Sequence, residues 1–518
     1  MSESRAVPAV FGTLSARNVA ILHVLAIVAF AAALRLPYFG NPAIYIDEQF
    51  YLLAADRWLH DGLIPYIDIW DRKPIGIFVI YAVGEILGDP VIGYQVIALL
   101  CVIGTALLLW ALTSRVWGRT VGLFAALFYC VSIMLMDGQG GQSPVFYNFL
   151  VAAAAYLLIG FALDDTRKGA AFPALGAALL LGLGLQVKYS VVFEAAGLSL
   201  FALFALARRH DWHAKALVTL ALGMMVCGLA PTVAVGAAYA AIGHWQDFVF
   251  ANFLSILAKD SWRQTFGAYV WQFFTVTRMV LHLLVPTALL GVEVALRHRS
   301  FTARERWMLS GLGVWLFATF AGAMIMGKPA PHYFLPTVMP LAILSAIALQ
   351  RLFALGRIVQ FIPQWPRRVD LTIVAALMLG LPPVASFVIV HDTEVHWGSP
   401  ALINRVADVL KDRLQGRCLY VFNRVPIFYH LTQACIPTRY PFPNHLNDGS
   451  ELHALPDDAL TEFARVLATK PVLLVRIPIT SETDPVAEEM LNRALAKDYV
   501  LARMIGGEMQ TFNIYVPR

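Results

Sequence analysis

Long apolar runs separated by short charged connections are the feature that most constrains the fold of this chain. A bilayer core about 30 Å thick requires roughly 20 consecutive apolar residues per helix. Charged residues make up only 14% of the chain, against about 25% in soluble domains. The sequence therefore predicts a polytopic α-helical membrane protein with eleven spans, which lie at residues 18–37, 91–113, 120–137, 144–163, 171–187, 189–207, 215–241, 271–296, 307–326, 333–352 and 370–391.

The apolar segment at 74–88 is not included among these spans. It is short and contains Glu85, and a full crossing here would move Arg115 to the side of the membrane that disfavours positive charge. We predict a re-entrant or interfacial helix for this segment.

Lys and Arg residues alternate between the connections that join the spans. The connections after the second, fourth, sixth, eighth and tenth spans each contain at least two of them. Cytoplasmic connections of membrane proteins are enriched in Lys and Arg. The pattern predicts a cytoplasmic N-terminus, an outer first loop at residues 38–90 and an outer C-terminal region. The first loop, with Arg57, Arg72 and Lys73, is the exception to the pattern.

The composition changes after the last predicted span. In residues 392–518 the charges return, and strand-like runs at 418–421, 471–477 and 511–516 alternate with amphipathic helical runs. This alternation is typical of a small α/β domain. We therefore expect a transmembrane domain at 1–391 and a C-terminal soluble α/β domain at 392–518 on the outer face.

Cys418 and Cys435 both lie in this C-terminal region. On the oxidising side of a membrane they could form a disulfide. Two free buried thiols are the alternative, and the sequence favours neither.

The first outer loop contains the densest cluster of ionisable and aromatic residues before the C-terminal region. The spacing predicts an interfacial helix from Asp47 to His60. A shielded carboxylate such as Asp47, with Glu48 beside it, could act as a general base toward an acceptor hydroxyl. Alternatively, the two acids simply favour a helix N-terminus. The other residues of this loop that we expect to contact substrate are Tyr51, Arg57, Tyr66, Asp71 and Arg72.

Cationic and hydrogen-bonding side chains recur on the same predicted face. Lys188 ends the fifth span, and Lys328, His332 and Tyr333 lie between the ninth and tenth spans. These groups could bind a lipid-linked phosphate. They could equally be interfacial anchors or, for Lys188, a side chain that snorkels to the bilayer surface.

Four of these segments resemble the signatures of the GT-C glycosyltransferases. They are the run YIDEQFY at 45–51, the Gly-x-x-Pro-Tyr pattern at 62–66, the run DRKP at 71–74 and the run PHYFLP at 331–336. The resemblance covers roughly residues 18–360, and the branch it favours contains the bacterial protein O-mannosyltransferases and the lipid A aminoarabinose transferases.

The resemblance implies an inverting transfer of one sugar at the periplasmic face of the bacterial inner membrane. The donor would be a polyprenyl-phosphate-linked sugar, and the acceptor a glycan, a lipid such as lipid A, or a protein. Asp47 matches the catalytic acid and Glu48 its partner, while Lys73 and Tyr333 match residues that contact the donor phosphate.

The chain departs from the family pattern at two places. Ile75 follows Lys73-Pro74 where a second proline is expected, and Asn148 stands near the position where many relatives carry a second acid. Asp137, in the preceding loop, is a candidate substitute. A divalent metal held by a second acid is therefore left open as a cofactor.

Two other classes of function compete with a glycosyltransferase. A transporter or lipid flippase would favour internal repeats and charges at the membrane midplane, whereas most charges here lie at the ends of spans. A membrane-anchored sensor would use residues 392–518 as its working module. Apart from membrane lipids and the substrates, no partner is indicated, and short basic clusters between apolar runs give no support to nucleic-acid binding.

Overall fold

A computed structural model describes residues 15–163, 171–209, 213–259, 265–325, 327, 329–354, 380, 388, 393–479, 482–506 and 510–518. Within these ranges, eight helices are long and apolar enough to cross a membrane. Three shorter apolar helices accompany them, at Ile75–Ile86, Arg119–Met134 and Ala171–Leu185. The predicted class, a polytopic helical membrane protein, is confirmed.

The helices of the membrane region follow one another with short connections. They are α1 Ala16–Arg35, α2 Ile46–Asp61, α3 Ile75–Ile86, α4 Pro90–Trp117, α5 Arg119–Met134, α6 Ser143–Leu163, α7 Ala171–Leu185, α8 Val191–Arg209, α9 Ala214–Ala241, α10 Trp245–Val249, α11 Ser255–Ala258, α12 Phe266–Met279, α13 Leu281–Arg297, α14 Ala303–Met324 and α15 Val338–Ala354. A single π-helical turn, Phe250–Leu254, separates α10 from α11.

The described helices match the predicted spans closely, with one correction. The predicted span 271–296 is interrupted at Val280, which has φ −115° and ψ 18° and separates α12 from α13. The residues before the break, 275–280, are rich in β-branched side chains, which lower helix propensity. The predicted span 370–391 lies almost entirely outside the described residues.

Helix α3 occupies the segment that we predicted not to cross the bilayer. Its 12 residues extend only about 18 Å at 1.5 Å per residue, which is less than a bilayer core. It packs backbone to backbone on α4, since a Cβ atom on Gly93 would lie 1.9 Å from the carbonyl oxygen of Gly84. Glycine at this crossing fixes how closely the first loop approaches the helical bundle.

Helix α2 contains the predicted interfacial helix, but its surroundings differ from the expectation. The helix ends at Gly62, whose φ of 70° places it in the left-handed region. Every residue from Glu48 to Arg57 is buried, so α2 does not present one face to the bilayer surface. The C-terminal region covers its other side: the Ile427 backbone N–H donates a 3.3 Å hydrogen bond to Gln49 Oε1.

The C-terminal region contains a four-stranded sheet with helices packed around it. Its helices are α16 Pro400–Leu414, α17 Ile427–Thr432, α18 Ala459–Ala468 and α19 Pro485–Asp498, and its strands are β1 Leu419–Val421, β2 Val472–Ile477, β3 Tyr499–Gly506 and β4 Thr511–Pro517. The strand order is β1-β2-β4-β3, in which β1 and β2 are parallel and the other two pairs are antiparallel. The sequence indicated three of these strands and missed β3, a largely exposed edge strand.

The two cysteines of this region form a disulfide. Cys418 and Cys435 are 17 residues apart and their Cα atoms are separated by 4.5 Å. The bridge joins the start of β1 to the segment that follows α17, where the Leu419 N–H also donates to the Cys435 carbonyl at 3.0 Å. Of the two alternatives that the sequence left open, the structure selects pairing.

Removal of this disulfide should destabilise the C-terminal region. A bridge that closes a loop of this size removes unfolded-state entropy equivalent to about 3 kcal/mol. We expect the double variant Cys418→Ser/Cys435→Ser to melt at a lower temperature in detergent than the parent, as measured by intrinsic fluorescence. Cys227→Ser, which changes a free cysteine of α9, serves as the matched control. Equal melting temperatures for the double variant and the parent would contradict the expectation.

Candidate functional site

Asp47 and Lys73 meet where the first loop folds back on itself. Asp47 lies in the first turn of α2, and Lys73 lies two residues before α3 begins. Lys73 Nζ is 3.8 Å from Asp47 Oδ1 and donates a 2.9 Å hydrogen bond to the Tyr51 hydroxyl. The Tyr51 hydroxyl in turn lies 3.3 Å from Ser143 Oγ, at the start of α6. The predicted carboxylate and the predicted phosphate-binding lysine therefore form one partly buried group, with the Asp47 and Lys73 side chains 15% and 24% exposed.

The charges around Asp47 favour its ionised form. Burial by itself would raise the pKa of Asp47, but the positive charges of Lys73, His332 and Lys188 outweigh it and hold the pKa below its usual value. Burial likewise opposes the charge of Lys73, yet Asp47, Tyr51 and Asp71 raise the pKa of Lys73 well above its usual value. Both members of the pair are charged at neutral pH.

Glu48 points away from this pair, although it adjoins Asp47 in the sequence. Its Oε2 accepts a 3.3 Å hydrogen bond from the Tyr94 hydroxyl, and a Cβ atom on Gly140 would lie 2.1 Å from the same oxygen. Burial raises the pKa of Glu48 to about 7, although hydrogen bonds and the Arg35 charge oppose the shift. Glu48 thus packs against the loop before α6 rather than joining Asp47 as a second acid.

Four residues from distant loops complete the group. Lys188 Nζ lies 4.5 Å from the centre of the Tyr333 ring, and His332 Nδ1 lies 3.8 Å from Asp137 Oδ2. Burial and the charge of Lys73 lower the pKa of Lys188 to about 7, and Asp47 opposes this shift. Lys188 therefore carries only part of a charge at neutral pH while it lies near the ion pair.

The remaining predicted residues occupy varied positions. Lys328 lies outside the described residues. Asn148 is fully buried in the second turn of α6, and the structure gives it no part in the Asp47 group. Tyr66, which has a φ of 70°, donates a 2.9 Å hydrogen bond from its hydroxyl to the Lys73 carbonyl. Tyr66 therefore positions the lysine through its backbone.

Asp71 and Arg72 shape the same turn and connect it to the C-terminal region. Asp71 Oδ1 accepts a 2.7 Å hydrogen bond from the Lys73 backbone N–H. Arg72 forms an ion pair with Glu451, whose other carboxylate oxygen lies 2.6 Å from Lys259 Nζ. Burial opposes the charge of Glu451, but Lys259 and Arg72 hold its pKa well below the usual value.

The roles of Glu451 and Lys259 were not predicted from the sequence. Neither residue belongs to a recognisable motif, and they lie almost 200 residues apart along the chain. The sequence indicates only that the cations of the first loop need acidic partners once they are buried. It does not say which distant residue provides one.

The predicted role of Arg57 requires a correction. Its guanidinium pairs with Asp61 at 2.8 Å and donates to the backbone carbonyls of Tyr429 and Ala434. These contacts hold the Arg57 guanidinium at the boundary between α2 and the C-terminal region, ten residues beyond Asp47 in the sequence. Arg57 holds two parts of the chain together and does not face the Asp47 group.

The Asp47 group is better suited to an anion than to a divalent metal. Lys73 and Lys188 face Asp47, and positive charges at this spacing oppose the binding of a cation. The metal-type ligands that do converge in the described residues are Asp56, His60 and Glu85, at the opposite end of α2.

Comparisons with known proteins agree with this architecture. Residues 71–235 match the profile of the dolichyl-phosphate-mannose-protein mannosyltransferase family. A search of curated protein sequences finds no significant match.

Solved structures show the same fold over nearly the whole chain. Cupriavidus metallidurans ArnT bound to undecaprenyl phosphate is similar with a TM-score of 0.63 and 14% identity, over 97% of this chain and 98% of that chain. The apo oligosaccharyltransferase of Archaeoglobus fulgidus is similar with a TM-score of 0.55 and 12% identity, over 88% of this chain and 69% of that chain. The chain therefore has the GT-C fold that its motifs predicted, with a helical membrane region and a small C-terminal sheet domain.

Proposed function

We propose that this protein is a membrane glycosyltransferase that moves one sugar from a polyprenyl-phosphate donor to an acceptor hydroxyl. The observation that carries the proposal is the partly buried group in which an ionised Asp47 lies beside Lys73, with Lys188 near both. The match to a mannosyltransferase family profile and the fold shared with an undecaprenyl-phosphate complex support the same class of donor.

The reaction is an inverting displacement at the anomeric carbon of the donor sugar. The acceptor oxygen forms a new bond to that carbon while Asp47 accepts its proton, and the bond from the carbon to the phosphate oxygen breaks. The leaving polyprenyl phosphate takes the electron pair. Lys73, Lys188, Lys328 and Tyr333 stabilise its charge, which is the electrostatic effect that contributes most in such sites.

The Asp47–Lys73 ion pair gives the base a way to become stronger when the donor is bound. In the free protein, the lysine charge is one cause of the low pKa of Asp47. A phosphate that shares Lys73 withdraws part of that stabilisation, so the carboxylate becomes more basic. A base whose pKa approaches the working pH is a more effective catalyst.

The reaction is proposed to take place at the periplasmic face of a bacterial inner membrane. The alternation of Lys and Arg between connections supports this orientation, and a disulfide in the C-terminal region suits an oxidising compartment. The acceptor is a hydroxyl of a glycan, lipid or protein at that face, and the C-terminal region, which covers α2, helps to select it.

Asp47→Asn should abolish transfer without abolishing donor binding. Loss of a general base typically lowers the rate by about 10²- to 10⁴-fold, whereas the cations that bind the phosphate stay in place. The measurement is transfer from a polyprenyl-phosphate sugar by the purified protein, with donor binding measured in parallel. Asp247→Asn, at an aspartate that pairs with His244 three residues away, is the matched control. Full activity of the Asp47 variant, or donor flux across liposomes without transfer, would overturn the assignment.

Donor affinity should fall as the pH rises above about 7. The pKa of Lys188 in the free protein is about 7, and a bound anion favours the protonated form, so binding requires proton uptake above that pH. Linkage predicts a decrease of up to tenfold per pH unit above the pKa of the free protein, while the single charge of a phosphodiester donor stays constant. Lys188→Arg, which keeps its charge, should show a flat profile over pH 6 to 9. Parallel profiles for the two proteins would exclude Lys188 from phosphate binding.

A further inference from the structure

A second cluster of ionisable side chains lies at the end of α2 farthest from Asp47. Asp56 and His60 are one turn apart on α2, Glu85 lies at the end of α3, and His430 lies in α17 of the C-terminal region. His60 Nε2 is 3.0 Å from Glu85 Oε1 and 4.0 Å from Asp56 Oδ1, and His430 Nδ1 is 2.9 Å from Asp56 Oδ2. Three separate parts of the chain thus bring two carboxylates and two imidazoles together.

The two carboxylates are buried next to each other. The side chains of Asp56 and Glu85 are only 5% and 7% exposed, and ligand atoms of both lie within 4.8 Å of one another and of His60. Glu85 Oε2 is buried and accepts no hydrogen bond from any described residue. Asp56 Oδ2 also accepts a 3.1 Å hydrogen bond from Gln433 Nε2, so the shortage of donors falls on Glu85. Two adjacent carboxylates are costly to bury, and either a shared proton or a bound cation compensates for them.

The geometry favours a metal ion over a proton. In a tetrahedral zinc site with bonds of about 2.0 Å, neighbouring ligand atoms are about 3.3 Å apart. His60 Nε2 lies 3.0 Å from Glu85 Oε1 and 4.0 Å from Asp56 Oδ1, and the ligand atoms of the three residues all lie within 4.8 Å of one another. Residues four apart on a helix project from the same face, as Asp56 and His60 do. A proton would bring the two carboxylates together but would not require the two histidines that point at them.

We propose that Asp56, His60 and Glu85 bind one divalent transition-metal ion, while His430 hydrogen-bonds to Asp56 and holds that ligand in place. Mixed imidazole and carboxylate ligands suit Zn²⁺, whereas Ca²⁺ and Mg²⁺ favour sites built from oxygen alone. Three protein ligands leave a fourth tetrahedral position for water. The side chain of His60 is 64% exposed and gives the ion a path from solvent.

The ion stabilises the contact between the C-terminal region and the first loop. Its three ligands belong to the loop helices, and one of them, Asp56, lies 2.9 Å from His430 of the C-terminal region. The ion acts beside the contacts of Arg57 with the Tyr429 and Ala434 carbonyls. Asp56 lies nine residues from Asp47, about 13 Å along the helix axis, so the metal takes no part in sugar transfer and the proposal does not depend on it.

Metal content and thermal stability test the proposal without any assay of activity. The full-length protein, stripped with EDTA and dialysed, should bind about one equivalent of Zn²⁺ by mass spectrometry of the metal, and its melting temperature should rise on ZnCl₂ addition. Glu85→Gln keeps the shape of the side chain but removes a ligand charge, and His60→Ala removes an exposed ligand without disturbing the core. Each should weaken Zn²⁺ binding by more than about tenfold and reduce the thermal response.

His453→Ala, at an exposed histidine of the C-terminal region, is the control and should bind Zn²⁺ as the parent does. Equal Zn²⁺ binding by Glu85→Gln, His60→Ala and the parent would show adventitious binding and overturn the proposal. No bound Zn²⁺ in the parent, together with a Glu85→Gln variant as stable as the parent or more so, would show that a shared proton compensates the carboxylates. Either result leaves the transfer reaction and the Asp47→Asn outcome untouched.

Discussion

The partial burial of Lys73 is the constraint on which the rest of the site depends. An ammonium group that loses most of its contact with water needs partners that recover the lost hydration energy, and Asp47 and Tyr51 provide them. The turn that carries the lysine is fixed from outside the loop as well. The Tyr189 hydroxyl donates to the Arg72 carbonyl, and the Trp70 N–H donates to the Arg439 carbonyl at 2.8 Å. The lysine is thus held by the loop, by the membrane helices and by the C-terminal region together.

Charge compensation also makes the C-terminal region part of the membrane site. Glu451 is the shared partner of Arg72 and Lys259, and it comes from the sheet-containing region. Without it, two cations beside Lys73 would lose their common counter-charge, and the removal of one partner of a buried ion pair typically costs several kcal/mol. A region that only sensed a signal or tethered a partner would not need to supply this carboxylate. The arrangement argues for one functional unit, in contrast to a membrane anchor with a separate working module.

The sequence could predict what depends on local chemistry. The apolar runs located the helices, the paired acids marked the start of α2 near Asp47, and the motif residues Asp47 and Lys73 proved to be neighbours. Helix geometry also separates Asp47 from Glu48, since adjacent residues point about 100° apart, and this argues against the partnership of the two acids that the family resemblance implied. The partners of Arg57 and the shared role of Glu451 could not be predicted. Both depend on how the C-terminal region packs against the first loop, and short sequence patterns do not specify such long-range packing.

The net charge of the Asp47 group is small, which suits the proposed binding of an anion. Asp47 and Lys73 neutralise each other, and Lys188, with a pKa of about 7, is only partly charged. A fully charged Lys188 would repel Lys73 when no anion is bound. A permanently neutral residue at this position would not stabilise the charge of a phosphate. A lysine whose pKa is close to the working pH reduces this repulsion and can take up a proton when an anion binds. In the proposed reaction, the burial that lowers the pKa of Lys188 would therefore also make its charge depend on the bound donor.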